Sequence, residues 1–416
     1  MAPRSRGFAL ISAAIVIAAT AVYSLGWMYY AGVVPRARLG VTPEHRVRTA
    51  DLLVTAVESG APAARAGLQA GDRIVEINGR PLDTPNPFFD AVTRGRPGDV
   101  VRLRVDRGGR SFTTHASLEP RPPAAPQSRA RLFVQLLLRF YPAEFFIVAA
   151  VVLLQRPQDR TAWLLALLFI TLIAAAPLEE ALIHPAFRRF AVGFKVLGGV
   201  LPAAVYGFFA VFPAQSPIDR RVPWLKNVLL STALALAAVL GILAYRAGSL
   251  APVRGITETT AWPIVGPLFL LYSVLALALG LGSLVLNNLR AQDAEARRRT
   301  RVLAWGMVAG LTPICVLQTV AEILDINPYY QVPFWVWAPA VLALFLIPLS
   351  FAYAVVKYRV LEIPVLLKRS ARYLLVQRGF VALLFLLSAG ATIALALELP
   401  LLLPARVEAA APVGLI

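Results

Sequence analysis

The chain of 416 residues is 58% hydrophobic, carries only 15% charged residues and has a mean hydropathy of +0.66. Soluble chains carry about 25% charged residues, so this composition excludes an ordinary soluble globular protein. The net charge of +18 comes from 37 Arg and four Lys against 23 acids. Most of these basic residues flank apolar runs, where positive charge sets membrane topology. No basic domain stands apart, which argues against nucleic acid as a partner.

The first apolar run, Phe8 to Val34, follows Arg4 and Arg6. It outlasts the roughly 7–15-residue core of a signal peptide, so residues 1–35 read as an uncleaved N-terminal anchor. Ala19-Thr20-Ala21 is the small-residue site at which the alternative, a cleaved signal, would be cut.

Residues 36–120 change character. Short alternating patterns appear in "LLVTAV", "DRIVEIN", "DVVRLRVDR" and "SFTTHASL", the signature of half-buried strands. In "VVRLRVDR", Val101, Leu103 and Val105 share one face and arginines the other. "NPFFDAVTRG" predicts a short helix capped by Asn86, with Pro87 in its first turn and Gly95 at its end. A small β-rich domain of residues 36–120 is expected, followed by a Pro-rich linker, 121–131.

A block of apolar runs then fills residues 132–356 with seven predicted spans: 132–154, 161–178, 192–213, 222–245, 263–288, 302–324 and 332–356. A basic segment follows at 357–378, whose apolar residues suit the membrane interface while its charges meet anionic headgroups. Residues 379–416 hold a last span, 379–403, and a tail. The expected fold class is therefore an α-helical polytopic membrane protein of about nine spans with an inserted small β-rich domain. With the N-terminus inside, the cytoplasmic stretches hold 18 Lys and Arg and the opposite loops hold six. That asymmetry places the N-terminus in the cytoplasm and the small domain outside.

The stretch "SGAPAARAGLQAGDRIVEINGRPL" resembles a PDZ domain of the bacterial type found beside periplasmic and membrane proteases. Ala63, Ala66-Gly67-Leu68, Gly71-Asp72, Ile74, Val75, Ile77 and Asn78-Gly79 carry the resemblance, which covers residues 38–118. It implies binding of protein or peptide C-termini by strand addition. The loop "RLGV" matches the carboxylate loop of the bacterial relatives, which implies that Leu39, Gly40 and Val41 line the site. Phe88, Phe89 and Val92 would shape its side-chain pocket, unless Phe88 or Phe89 is simply core. Membrane lipid and a second copy of the chain complete the expected partners.

A PDZ domain in a membrane protein points first to an intramembrane metalloprotease. The three histidines, His45, His115 and His184, form no H-E-x-x-H pair. "ALGLGSLVL" around Ser283 resembles an intramembrane serine protease, but no histidine follows to act as base; Gly280, Gly282 and Ser283 are expected to permit close helix packing. Cys315 stands alone, which rules out an internal disulfide. Glu144 falls within the 132–154 span, whereas Glu322, Asp325 and Glu179-Glu180 fall near the ends of spans, and solvation at an interface accounts for most of them. The expectation is a chain with no catalytic residues, no metal and no cofactor, hence not an enzyme.

Three further blocks, "FPAQSPIDRRVPWLK" (212–226), "EARRRTRVLAWGMVAGLTP" (295–313) and "PLSFAYAVVKYRVLEIPVLLKRSARYLL" (348–375), complete a second resemblance. Together with the PDZ segment they look like the membrane input region of bacterial sensors of the histidine kinase or SpoIIE-like serine phosphatase type. The chain departs from that pattern by ending on "AAAPVGLI" with no output domain, so an N-terminal fragment is expected. The resemblance implies a multi-pass receptor of the bacterial inner membrane. Two other readings remain open: an adaptor presenting its PDZ groove to a protease or its substrate, and a transporter with an accessory PDZ domain.

Overall fold

The computed structural model describes residues 3–32, 37–46, 51–82, 86–122, 129–176, 180–212, 214–250, 262–290, 294–323 and 332–358. The basic segment from 359 onward, the span at 379–403, the tail and most of the Pro-rich linker lie outside the described residues.

Helix α1, Pro3–Tyr30, is 28 residues long and spans about 42 Å at 1.5 Å per residue. The β-rich domain follows. Its strands are β1 (Ala37–Arg38), β2 (Val41–Arg46), β3 (Asp51–Val57), β4 (Arg73–Ile77), β5 (Arg80–Pro81), β6 (Val100–Arg107), β7 (Arg110–Ser117) and β8 (Glu119–Pro120). The sheet runs β2-β3-β4-β6-β7 with β5 paired to β4, and β1 pairs β8 where the chain enters and leaves. Helices α2 (Pro62–Arg65) and α3 (Asn86–Arg94) complete the domain. As the alternation predicts, Val101, Leu103 and Val105 are buried with Leu52, Val54, Ile74 and Ile77, whereas Arg102 and Arg104 are exposed. Asn78 and Gly79 both take positive φ, 48° and 79°, the geometry of a tight hairpin turn. The Asn78 Oδ1 holds that turn by accepting from the Arg102 N–H at 2.8 Å.

Asp72 is the one buried carboxylate of the domain's Gly-Asp motif. It accepts from Arg107 Nε at 2.6 Å and Nη2 at 2.8 Å, and from the Gln69 N–H at 2.8 Å. Burial alone pushes its pKa up; the Arg107 guanidinium and the Gln69 N–H outweigh that and hold it below the ordinary carboxylate range.

The rest of the described chain is helical: α4 (Arg129–Arg139), α5 (Tyr141–Gln155), α6 (Arg160–Ala175), α7 (Pro185–Lys195), α8 (Leu201–Val211), α9 (Pro217–Arg221), α10 (Leu225–Ala247), α11 (Trp262–Arg290), α12 (Ala294–Ile323), α13 (Phe334–Leu342) and α14 (Leu346–Tyr358). Seven helical stretches are long and apolar enough to cross a membrane: Gly7–Tyr30, Leu132–Gln155, Pro185–Val211, Leu225–Ala247, Leu268–Asn287, Arg301–Ala321 and Phe334–Phe351. The chain is thus a multi-pass membrane protein carrying a small β-rich domain near its N-terminus.

The predicted span at 161–178 is helix α6, shorter than any of these seven stretches. Helix α6 has only 16 residues, about 24 Å against a hydrocarbon core of about 30 Å. Every residue from Leu168 to Ala174 is buried. A helix that is apolar all round and covered in this way lies inside the bundle, packed by neighbouring helices rather than by lipid.

The stretch predicted as one span at 192–213 is helix α7, a 3₁₀ turn over Val196–Val200, and helix α8. Gly198 lies so close to the end of α6 that a Cβ on it would stand 2.9 Å from Ala175 Cα. Lys195 Nζ donates to the Ala176 carbonyl at 2.7 Å, covering one of the carbonyls left open where α6 ends. Gly280 of α11 packs with equal closeness on Val205 and Tyr206 of α8, while Gly282 faces open space and Ser283 is buried. The block 212–226 is organised by Ser216, which caps α9 by accepting from the Asp219 N–H at 3.1 Å. Asp219, fully buried, is paired with Lys226.

Candidate functional site

The site is built around one glycine. Gly40 has φ +79°, and a Cβ there would overlap the Ala61 side chain, so the loop before β2 admits no larger residue. The Leu39 carbonyl accepts from the Ala63 N–H at 2.9 Å, and the Gly40 carbonyl from the Glu58 N–H at 2.9 Å. In a trans peptide the N–H opposes the preceding carbonyl, so the N–H groups of Gly40 and Val41 point away from α2 and β3. Among the described residues, no backbone bond is donated by the Gly40 N–H.

The Glu58 to Gly40 bond also makes Val41–Val57 a non-hydrogen-bonded pair. Val41 therefore turns its backbone polar groups to the outer side of β2, the terminal strand of the sheet. An open strand edge that begins with outward amides can accept an extended chain and an anion at its end.

All five apolar residues predicted for the site gather in one cluster. Leu39 and Phe88 are each 2% exposed and belong to its core. Val41, Phe89 and Val92 are only partly buried against it. Phe88 and Phe89 meet edge to face at 5.7 Å. Arg38, directly before the loop, pairs with Glu58 at 2.6 Å and approaches Glu119 at 3.8 Å, and Arg65 pairs with the same Glu119 at 2.5 Å. This fringe of charge was not singled out from the sequence.

The opposite face of α3 makes a contact that no sequence pattern announced. Asn86, Asp90 and Arg94, spaced by four, form one stripe. Asn86 Nδ2 donates to the Gly248 carbonyl at 2.7 Å, just past the end of α10. Its Oδ1 has no partner among the described residues, so Asn86 ties α3 to the bundle instead of capping it. Arg94 Nη2 donates to the Ile183 carbonyl at 2.8 Å. Arg188 of α7, 3% exposed, reaches both Asp90 oxygens, with Nη1 to Oδ2 at 3.0 Å, and also donates to the Ile183 carbonyl at 2.7 Å. Glu180 joins the same region by accepting from Ser249 Oγ at 3.0 Å and the Leu250 N–H at 3.1 Å. His184 caps α7: its Nδ1 accepts from the Ala186 N–H at 3.2 Å. Glu144 is half-buried early in α5. Glu179, Asp325 and the side chain of Glu322 lie outside the described residues.

The PDZ domain family matches residues 53–107. Curated relatives match short stretches of the chain. The Salmonella typhimurium "Regulator of sigma-E protease RseP" is 35% identical over 79 residues, 19% of this chain and 17% of that protein. Its Escherichia coli namesake is 34% identical over 88 residues, 21% of this chain and 19% of that protein. The Yersinia pestis "Protease RseP" is 32% identical over 108 residues, 26% and 23% of the two chains. The chain thus spans about a fifth of the length of the curated relatives it matches. Among solved structures, the HtrA-type protease AlgW with decapeptide is 29% identical, covering 22% of this chain and 31% of that one with a TM-score of 0.20, a likeness too local to carry an argument. These findings overturn two expectations. The relatives carry protease names, so the reading of the chain as a non-enzyme is withdrawn. The likeness to kinase- or phosphatase-linked sensors is replaced by a likeness to the PDZ regions of membrane proteases.

Proposed function

We propose that the chain works in proteolysis at the bacterial inner membrane, where its PDZ domain presents a groove to a protease or to a protease's substrate. One observation supports this above the rest: an open edge strand headed by outward amides at Gly40 and Val41, in a domain whose relatives are named proteases. An extended C-terminus would add as a further strand along β2, its carboxylate meeting those two amides and its last side chain resting on Val41, Phe89 and Val92. The excess of basic residues in one set of loops supports a cytoplasmic N-terminus and an extracytoplasmic groove.

The test compares membrane proteomes of cells with and without the intact gene, together with cells carrying Gly40→Val. Accumulation of uncleaved membrane or extracytoplasmic proteins in both altered strains is expected. Identical cleavage patterns in all three strains would overturn the proposal.

A further inference from the structure

Helix α3 has two working faces. Phe89 and Val92 line the groove side, packed on the domain core. Asn86, Asp90 and Arg94 are bonded to Gly248, Arg188 and Ile183 at the ends of membrane helices. The wall of the groove is therefore also the surface by which the domain is fixed to the bundle. We infer that the Asp90–Arg188 pair is a latch that couples occupancy of the groove to docking of the PDZ domain on the helix bundle, each reinforcing the other. The inference rests on the peptide-binding reading above.

The sign follows from geometry. Four hydrogen bonds from three residues of α3 fix it to the bundle, so that wall of the groove is held in place before a peptide arrives, and a preorganised wall binds more tightly than a loose one. Coupling between two binding events is reciprocal. A peptide that is held better by a docked domain must hold the domain docked in turn. Arg188, 3% exposed, suits this role, because a largely buried pair weakens steeply when its partners separate.

The experiment uses the full chain in lipid nanodiscs and a pool of fluorescent decapeptides with varied sequence and an apolar C-terminal residue bearing a free carboxylate. Hydrogen exchange is read at β2, α3 and residues 183–190. Peptide is expected to slow exchange at β2 and, together with it, at 183–190. Arg188→Ala and Asp90→Asn should each weaken peptide binding about three- to tenfold and abolish the response at 183–190 while β2 still responds. The double variant should be no weaker than either single one, and Arg188→Lys should recover part of the effect. Slowed exchange at β2 with no change at 183–190 in the parent chain overturns the latch and leaves the groove standing. No slowing at β2 with any peptide overturns both. Unchanged or tighter binding by Arg188→Ala, with β2 exchange in the free protein as in the parent, also overturns the latch.

Discussion

Asp90 and Arg188 stand 98 residues apart in the chain and meet through two hydrogen bonds between a PDZ helix and a membrane helix. The pair sits where the groove wall and the bundle share one element, so the small domain is not an appendage on a flexible tether. Its recognition surface is positioned by the same helices that hold the chain in the membrane.

Gly40 should be the most sensitive position in the groove. A left-handed backbone costs an L-residue about 1–2 kcal/mol, and the added Cβ of Gly40→Ala would also overlap Ala61. Peptide binding by the full chain, followed by fluorescence anisotropy, should fall by tenfold or more. Gly60→Ala, also at positive φ but with open space around its Cβ, should lose stability while keeping most of the affinity.

The Asp72–Arg107 pair makes the PDZ domain acid-sensitive. Its carboxyl is held below its unfolded value near 3.9, so the unfolded chain takes up the proton first as pH falls. The stabilisation is fully present above that value and is lost as pH drops through the folded one. Protection against exchange at the Val54 and Gly71 amides, whose backbones are bonded around this residue, should fall in that window relative to the unfolded chain at the same pH. In Asp72→Asn the lower protection should already be present at neutral pH.

Two adjacent glycines should behave differently. Gly198→Ala would press a Cβ against the Ala174–Ala175 backbone, whereas Gly199 has nothing within 4 Å. Overpacking of this kind costs about 1–3 kcal/mol. A thermal-shift assay in detergent should show a lower midpoint for Gly198→Ala and little change for Gly199→Ala.

Removing one partner of a buried ion pair strands the other. Lys226→Ala would leave the fully buried Asp219 without its cation, a loss of about 3–5 kcal/mol. Heat inactivation of the purified protein should accelerate, and the double change Asp219→Asn with Lys226→Met should recover much of the loss.

What was legible in the chain followed from periodicity and turn chemistry. The two-residue alternation in "VVRLRVDR" predicted which side of β6 is buried, because a strand places neighbours on opposite faces whatever surrounds it. Asn78-Gly79 predicted its turn, since both residues tolerate positive φ. The cluster of Leu39, Val41, Phe88, Phe89 and Val92 was also legible, through resemblance rather than pattern. The 161–178 run was not: apolar sequence is the same whether lipid or protein covers it, and only the packed bundle shows α6 to be an inner helix.

The amino-acid sequence by itself determined that apolar helices alternate with basic turns and that a small β-rich domain interrupts them, since these depend on local residue chemistry. Only the tertiary structure decided that Asn86, Asp90 and Arg94 face the bundle, that Arg188 answers Asp90, and that Gly198 lets two helices touch. The physical reason is that a hydrogen bond or a close backbone approach between distant segments has two halves, and neither half carries a mark of where the other will be.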